Sequence, residues 1–327
     1  TAQSLLADYF DRSERPQAMA IYAMFYPISM VIGYLLGGWL LEELGWRKTF
    51  IVLGLPAILV ALIVMLTLKE PRVQTKKKTH SPPRQSMLAV LKILYAIPSF
   101  RYLLICSCVF NFFVMGTGQW QASFFIRSYG MGTTELGAWL ALMWGVFGIV
   151  GNYLGGFLAT RFAANQEKRQ MNGLAIAVLL LGVTNACIYL APDQSLAMAC
   201  IAIFAVLGTV SNGPFFSAVQ CLVPENMRSV SLALIFLFAH LIGFGFGPLF
   251  IGILSDWWRP IAEEESLRYA LAAISPIVLW SAYYYWKAGN SIAEDIDRAE
   301  LETARHNAPK ASAMSDLRNL TPADNNQ

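Results

Sequence analysis

The sequence predicts an all-α membrane protein with eight transmembrane helices, and three observations carry that expectation. Of 327 residues, 56% are hydrophobic and only 14% charged, against roughly 45–50% and 25% in an ordinary soluble domain. Stretches free of Asp, Glu, Lys and Arg recur along the chain, and a hydrocarbon core of roughly 30 Å needs about 20 such residues per helical crossing. These stretches are continuous, with no polar alternation, which excludes barrel strands, and lipid admits only helices or closed barrels.

Taken in order, the spans are 16–41, 48–68, 101–127, 134–160, 171–191, 195–222, 229–255 and 267–287. Thr1 to Phe10 precede them and would reach only about 15 Å as helix, so that opening reads as the end of an earlier span and not as a signal peptide. Lys69 to Arg101 holds Lys76, Lys77, Lys78, His80, Pro82, Pro83 and Arg84, a solvated basic linker with an attraction for anionic headgroups. Behind it Met87, Leu88, Val90, Leu91, Ile93 and Leu94 suit the membrane interface before Pro98 opens the next span. From about Ala288 the chain turns polar and is expected to be partly disordered. The resulting units are 1–68, the linker 69–100, a six-helix unit 101–288 and the tail 289–327.

Orientation follows from the 24 Lys and Arg. With the Arg12–Arg15 loop inside, 14 lie in inside loops, 5 in the tail and 5 outside, as the positive-inside rule requires. The tail is then cytoplasmic and the protein multi-pass. A weak internal repeat adds to this. An apolar helix, glycines at Gly33, Gly37 and Gly38, and Glu42-Glu43 follow Arg15; an apolar helix, Gly243, Gly245, Gly247 and Gly252, and Asp256 follow Arg228. Repeated halves with a site between them are a common plan of secondary transporters.

A family resemblance joins these features. Ser4-Leu5-Leu6-Ala7-Asp8-Tyr9-Phe10, Glu14-Arg15, Gly37-Gly38-Trp39-Leu40 and Gly45-Trp46-Arg47 resemble the N-terminal half of a major facilitator superfamily transporter, most of all its spinster-like branch. Trp120, Phe124-Phe125-Ile126-Arg127 and Gly130 are similar to that branch's seventh helix. Gln220, Val223-Pro224, Met227-Arg228, Leu241-Ile242-Gly243, Gly247-Pro248, Ser255-Asp256 and Ser266-Leu267-Arg268-Tyr269-Ala270 are similar to its tenth to twelfth. The resemblance implies that the eight spans are helices five to twelve of twelve, and that 1–68 holds the end of helix four with helices five and six. It also implies a lysophospholipid or sphingolipid-like solute, and coupling residues that lie in helices not represented. Thr160 stands where the superfamily's loop motif has Asp, and His240 where the spinster pattern more often has Asn.

Membrane-depth polar groups are expensive unless they face a cavity or another helix, so each is a candidate substrate contact. Thr209, Asn212, Phe216 and Gln220 share an arc beside Gly213-Pro214, and Asn111 and Gln119 share a face near Trp120. Gly116 and Gly118 there mark a gate. Gly148, Gly151 and Gly155, with Asn152 beside them and Gly145 in line, let a neighbouring helix approach, as do Gly33 with Gly37 and Gly243 with Gly247 next to Pro248. The sharper reading of these glycines is sliding contact between two halves; the bland one is close packing. His240, with Leu232, Phe236, Gly243 and Gly247 on its face, is the one side chain at mid-span depth with a titration near neutral pH, a candidate headgroup or proton contact. Its bland alternative is a hydrogen bond to another helix.

Arg101 and Arg127 begin and end one span and anchor it at opposite surfaces, with Arg127 a second candidate for an anionic headgroup. Cys106, Cys108, Cys187, Cys200 and Cys221 all lie in spans as small apolar fillers. The expected partners are a small amphipathic solute, membrane lipids and protons. No metal spacing, cofactor loop, catalytic grouping or nucleic-acid surface is legible, so an enzyme is not expected. A drug or organic-acid exporter, a remnant that does not transport, and a channel or sensor are the other readings.

Overall fold

The computed structural model describes residues 25–67, 87–162, 166–223 and 227–319. The expectations placed on Ser4 to Arg15, on the Lys76 to Arg84 run and on Pro224 lie outside those residues, as does the side chain of Thr160. Among the described residues every element is helical, so the all-α expectation holds. The elements are α1 (Phe25–Thr67), α2 (Met87–Ala96), α3 (Pro98–Tyr129), α4 (Thr133–Leu140), α5 (Gly148–Phe162), α6 (Glu167–Leu190), α7 (Gln194–Val210), α8 (Asn212–Cys221), α9 (Arg228–His240), α10 (Gly247–Ala262), α11 (Ser266–Ala273) and α12 (Val278–Asn319). Two π-helical turns, Ala141–Phe147 and Leu241–Phe246, join α4 to α5 and α9 to α10.

Among the described residues six stretches are long and apolar enough to cross a membrane: Val31–Thr67, Pro98–Tyr129, Thr133–Ala159, Glu167–Leu190, Gln194–Cys221 and Ser229–Arg298. A straight helix over 31–67 would measure about 56 Å, far beyond a hydrocarbon core of about 30 Å. Gly45 sits inside it at φ 71° and interrupts the helical path. The longest stretch is interrupted at Glu263, whose φ is 45°. The eight-crossing reading divides the first and last stretches at these two residues.

Local signals set the helix ends. Pro98 occupies the first turn of α3, where its missing N–H costs nothing. At its other end Gly130, at φ 66°, caps the carbonyls of Ile126 and Phe125. Asp193 accepts from the Leu196 N–H at 2.9 Å to start α7. The main core surrounds α3. Phe124 packs edge-on to Tyr189 with ring centroids 4.8 Å apart and to Phe125 at 5.1 Å, and Leu103, Cys106 and Phe113 are fully buried. Asn185 is also fully buried, its amide donating to the Leu271 carbonyl and the Ser275 hydroxyl, both at 2.9 Å.

The last helix is the longest element after α1. It runs past Ala288 and ends at Asn319; its stretch up to Asp295 is held because Ala288, Ile292 and Asp295 are buried and the Asp295 carboxylate accepts from the Ser99 N–H at the start of α3. Residues 320–327 lie outside the described set.

Candidate functional site

Two glycine seams organise the helices around the site. A Cβ on Gly247 would lie 2.7 Å from the Phe112 carbonyl oxygen and 3.0 Å from the Gly116 Cα, and one on Gly243 would lie 3.0 Å from the Asn111 Cβ. These contacts seat α10 and the π turn before it against α3. In the second seam, a Cβ on Gly151 would collide with the Thr209 hydroxyl and one on Gly155 with the Val210 carbonyl, while Gly148 faces the Thr209 methyl at 3.8 Å. The Thr209 hydroxyl donates to the Gly148 carbonyl at 3.0 Å, Asn152 donates to the same carbonyl at 3.1 Å, and Asn212 donates to the Asn152 side-chain oxygen at 3.1 Å. The Thr209–Gly148 and Asn212–Asn152 bonds therefore bind helix to helix, each contributing about 0.6 kcal/mol, while the Asn152–Gly148 bond lies within α5.

Both seams lie within residues 101–288, so neither is a contact between the two expected halves. Helix α1 meets α4 instead: a Cβ on Gly38 would lie 3.2 Å from the Gly137 Cα, and Thr134 donates both its N–H and its hydroxyl to the Glu42 carboxylate. Gly33 and Gly37, expected to pack closely, have nothing within 4 Å of a Cβ; Gly145 instead meets the Val31 side chain. At Gly116 and Gly118 α3 runs unbroken; Gly116 is held against Gly247 and Gly118 borders open space.

Phe216, His240, Gln119 and Trp120 converge on one side of the helices. Phe216 of α8 packs on Phe236 of α9 with centroids 5.4 Å apart. Phe236 meets His240 at 5.5 Å, and His240 lies stacked on Phe244 at 5.5 Å with an interplanar angle of 8°. His240 is exposed, and its Nδ1 lies 2.8 Å from the Phe236 carbonyl oxygen. The face shared by His240, Gly243 and Gly247 in a regular helix does not survive, because the looser π winding of Leu241–Phe246 intervenes. The glycines turn to α3 and the imidazole stays on the open side.

Phe244 then joins Gln119, Trp120, Ser123 and Pro248 around a cleft of about 430 Å³. Trp120 is fixed there by its Nε1 donating to the Pro248 carbonyl at 2.9 Å, and its ring lies 3.2 Å from where a Gly252 Cβ would be. The result is a row of four rings ending in a cleft with amide and hydroxyl groups, suited to a solute with an apolar body and a polar end. Asn111 is not part of it; its amide donates to the Ser107 carbonyl of its own helix at 3.0 Å. Gln220 is exposed on the far turn of α8. Arg101 lies over the Tyr95 ring at 5.4 Å, and Arg127 is exposed near the opposite end of α3.

Sequence reasoning missed Phe244 and Ser123, and missed Gln121, which is buried and accepts from Trp144 Nε1 at 3.0 Å. Phe244 stands four residues from His240, a spacing that would have flagged it. Gln121 carried the same intramembrane polarity signal as Gln119.

A profile of the Major Facilitator Superfamily matches residues 1–248. The chain belongs to that superfamily. Among known members it is 25% identical to an MFS-type efflux pump of Mycolicibacterium smegmatis over 315 residues, which covers 93% of this chain and 69% of that protein. It is 22% identical to the mouse sphingosine-1-phosphate transporter SPNS2 over 339 residues, or 95% of this chain and 61% of that one. A crystal structure of a bacterial homolog to the human lysosomal transporter spinster, inward-facing and unoccupied, superposes with a TM-score of 0.76 at 23% identity. That match covers 90% of this chain and 74% of the other. As a superfamily member with six long apolar helical stretches, this is an integral multi-pass membrane protein with the MFS fold.

Proposed function

We propose that the chain is the greater part of a secondary transporter that carries a small amphipathic solute, lysophospholipid or sphingolipid-like, by alternating access of two helical halves. The observation that carries this reading is the row Phe216, Phe236, His240 and Phe244, which leads into the cleft of Gln119, Trp120 and Ser123. An acyl or sphingoid tail lies along the rings and its head reaches the amide and hydroxyl groups. His240 supplies the polar contact midway and is the candidate to exchange a proton with transport. Similarity to the sphingosine-1-phosphate transporter supports the solute class.

In this reading the chain crosses a bacterial inner membrane eight times, divided at Gly45 and Glu263, with the basic linker and the end of α12 cytoplasmic. The two glycine seams hold the 101–288 unit together as one body, and the Gly38–Gly137 contact is where the other half rocks against it. A second reading, export of a drug or organic acid, is favoured by similarity to the efflux pump.

The test uses the complete protein in proteoliposomes with fluorescent lysophosphatidylcholine, sphingosine-1-phosphate and ethidium. Saturable, competed uptake of either lipid supports the proposal. Movement of ethidium alone would transfer support to the exporter reading, and flux of none of them would contradict carriage of this solute class.

A further inference from the structure

On the side of the bundle formed by α6 and α12, a groove of about 500 Å³ runs between the two helices. Its making is visible in the small residues. The helices touch at Gly289, where a Cβ would lie 3.1 Å from the Met171 Cβ and 3.3 Å from the Lys168 carbonyl oxygen. They touch again at Gly182, where it would collide with the Val278 side chain at the start of α12. Between these points Ala175 and Ala282, both buried, have too little side chain to fill the gap. Leu179 and Leu279 wall one end of the groove, and both are exposed.

The other end is polar and cationic. Asn172 lines it, and the side-chain oxygen of this residue is buried with no hydrogen-bond partner. Tyr283 and Trp286 flank it as interfacial aromatics do. The Lys287 ammonium is held 4.9 Å from the Tyr283 ring and 5.6 Å from the Tyr102 ring, and Lys168 is exposed beside the Gly289 contact.

We propose that this groove is a structural site for an anionic glycerophospholipid, separate from the solute path and independent of whether the chain transports. One acyl chain lies over Ala175 and Ala282 toward Leu179 and Leu279. The phosphodiester meets the Lys287 ammonium with Lys168 nearby, and the headgroup lies at the Asn172 end. The charge decides between lipid classes, because the cationic end favours a net-negative headgroup over a zwitterionic one.

The experiment is native mass spectrometry of the purified full chain given equimolar phosphatidylglycerol and phosphatidylcholine of identical tails. The expected result is a phosphatidylglycerol adduct favoured about fivefold, the effect of one lysine near a headgroup. Lys287→Gln should abolish that preference, and Ala282→Leu, which fills the groove, should reduce both adducts. Equal retention of the two lipids, or a preference unchanged in Lys287→Gln, would overturn the proposal. Should Ala282→Leu fail to fold, the Lys287→Gln comparison decides alone, since that side chain lies at the surface.

Discussion

Asp295 of the long final helix and Ser99 in the first turn of α3 stand 196 residues apart and share one hydrogen bond, the carboxylate accepting from the Ser99 N–H at 2.9 Å. The two side chains on either side repeat the link, Ser99 Oγ lying 2.8 Å from Ser291 Oγ. Because Ile97, the residue at the cap position of α3, offers no side-chain acceptor, Asp295 does from another helix what a capping residue does locally. Its pairing with Arg298 at 3.7 Å is on the exposed side and adds little.

Asp295→Ala should therefore destabilise the protein by about 1–2 kcal/mol, whereas Asp295→Asn, which keeps an acceptor oxygen, should retain part of the effect. Thermal unfolding in detergent, followed by the fluorescence of buried aromatics, measures both. A shift no larger for Ala than for Asn would show that the cap contributes nothing.

The glycine seam between α3 and α10 makes a contrasting pair. Gly247→Val must push the Phe112 carbonyl away, since even a Cβ alone comes within 2.7 Å of it, and overpacking of this kind costs about 1–3 kcal/mol. Gly118→Ala, facing open space in the same helix pair, should be neutral or stabilising by about 0.5–1 kcal/mol. Size-exclusion profiles and melting temperatures of the two variants should diverge in those directions.

Glu263 is the one non-glycine residue with positive φ among the described residues, at φ 45° and ψ −117°, a region costly for a side chain. Glu263→Gly should raise stability by about 1 kcal/mol, read as an increased melting temperature, and Glu263→Ala should not.

The helical spans were legible because hydrophobicity is a local property, and the proline and glycine ends of α3 were legible for the same reason. What escaped depends on partners. Gly33 and Gly37 look as suited to close packing as Gly38, yet only Gly38 faces Gly137, and nothing local distinguishes them. Thr209 and Asn212 looked like cavity groups on one arc. They turn instead to Gly148 and Asn152, because the helix is interrupted at Ser211 and a glycine seam lies opposite. The π turn at Leu241–Phe246 carries no signal beyond its glycines, and it separates His240 from the glycines that a regular helix would align with it. The anchoring of the last helix depends on Asp295 meeting a segment nearly 200 residues away in the chain.

The account rests on the aromatic row as the path of the solute, and transport kinetics of row variants in the complete protein test it most directly. Phe236→Ala and Phe244→Ala each remove one ring from contact with His240, and His240→Asn keeps a polar group while removing the imidazole. In proteoliposomes the two alanine variants should raise the KM for lysophospholipid by about tenfold each, the effect of roughly 1.4 kcal/mol of lost ring contact. His240→Asn should flatten the pH dependence of uptake, and Val183→Ala on the α6 exterior should change neither. Unchanged KM in both phenylalanine variants, with an unchanged pH profile in His240→Asn, would contradict the row as the solute path.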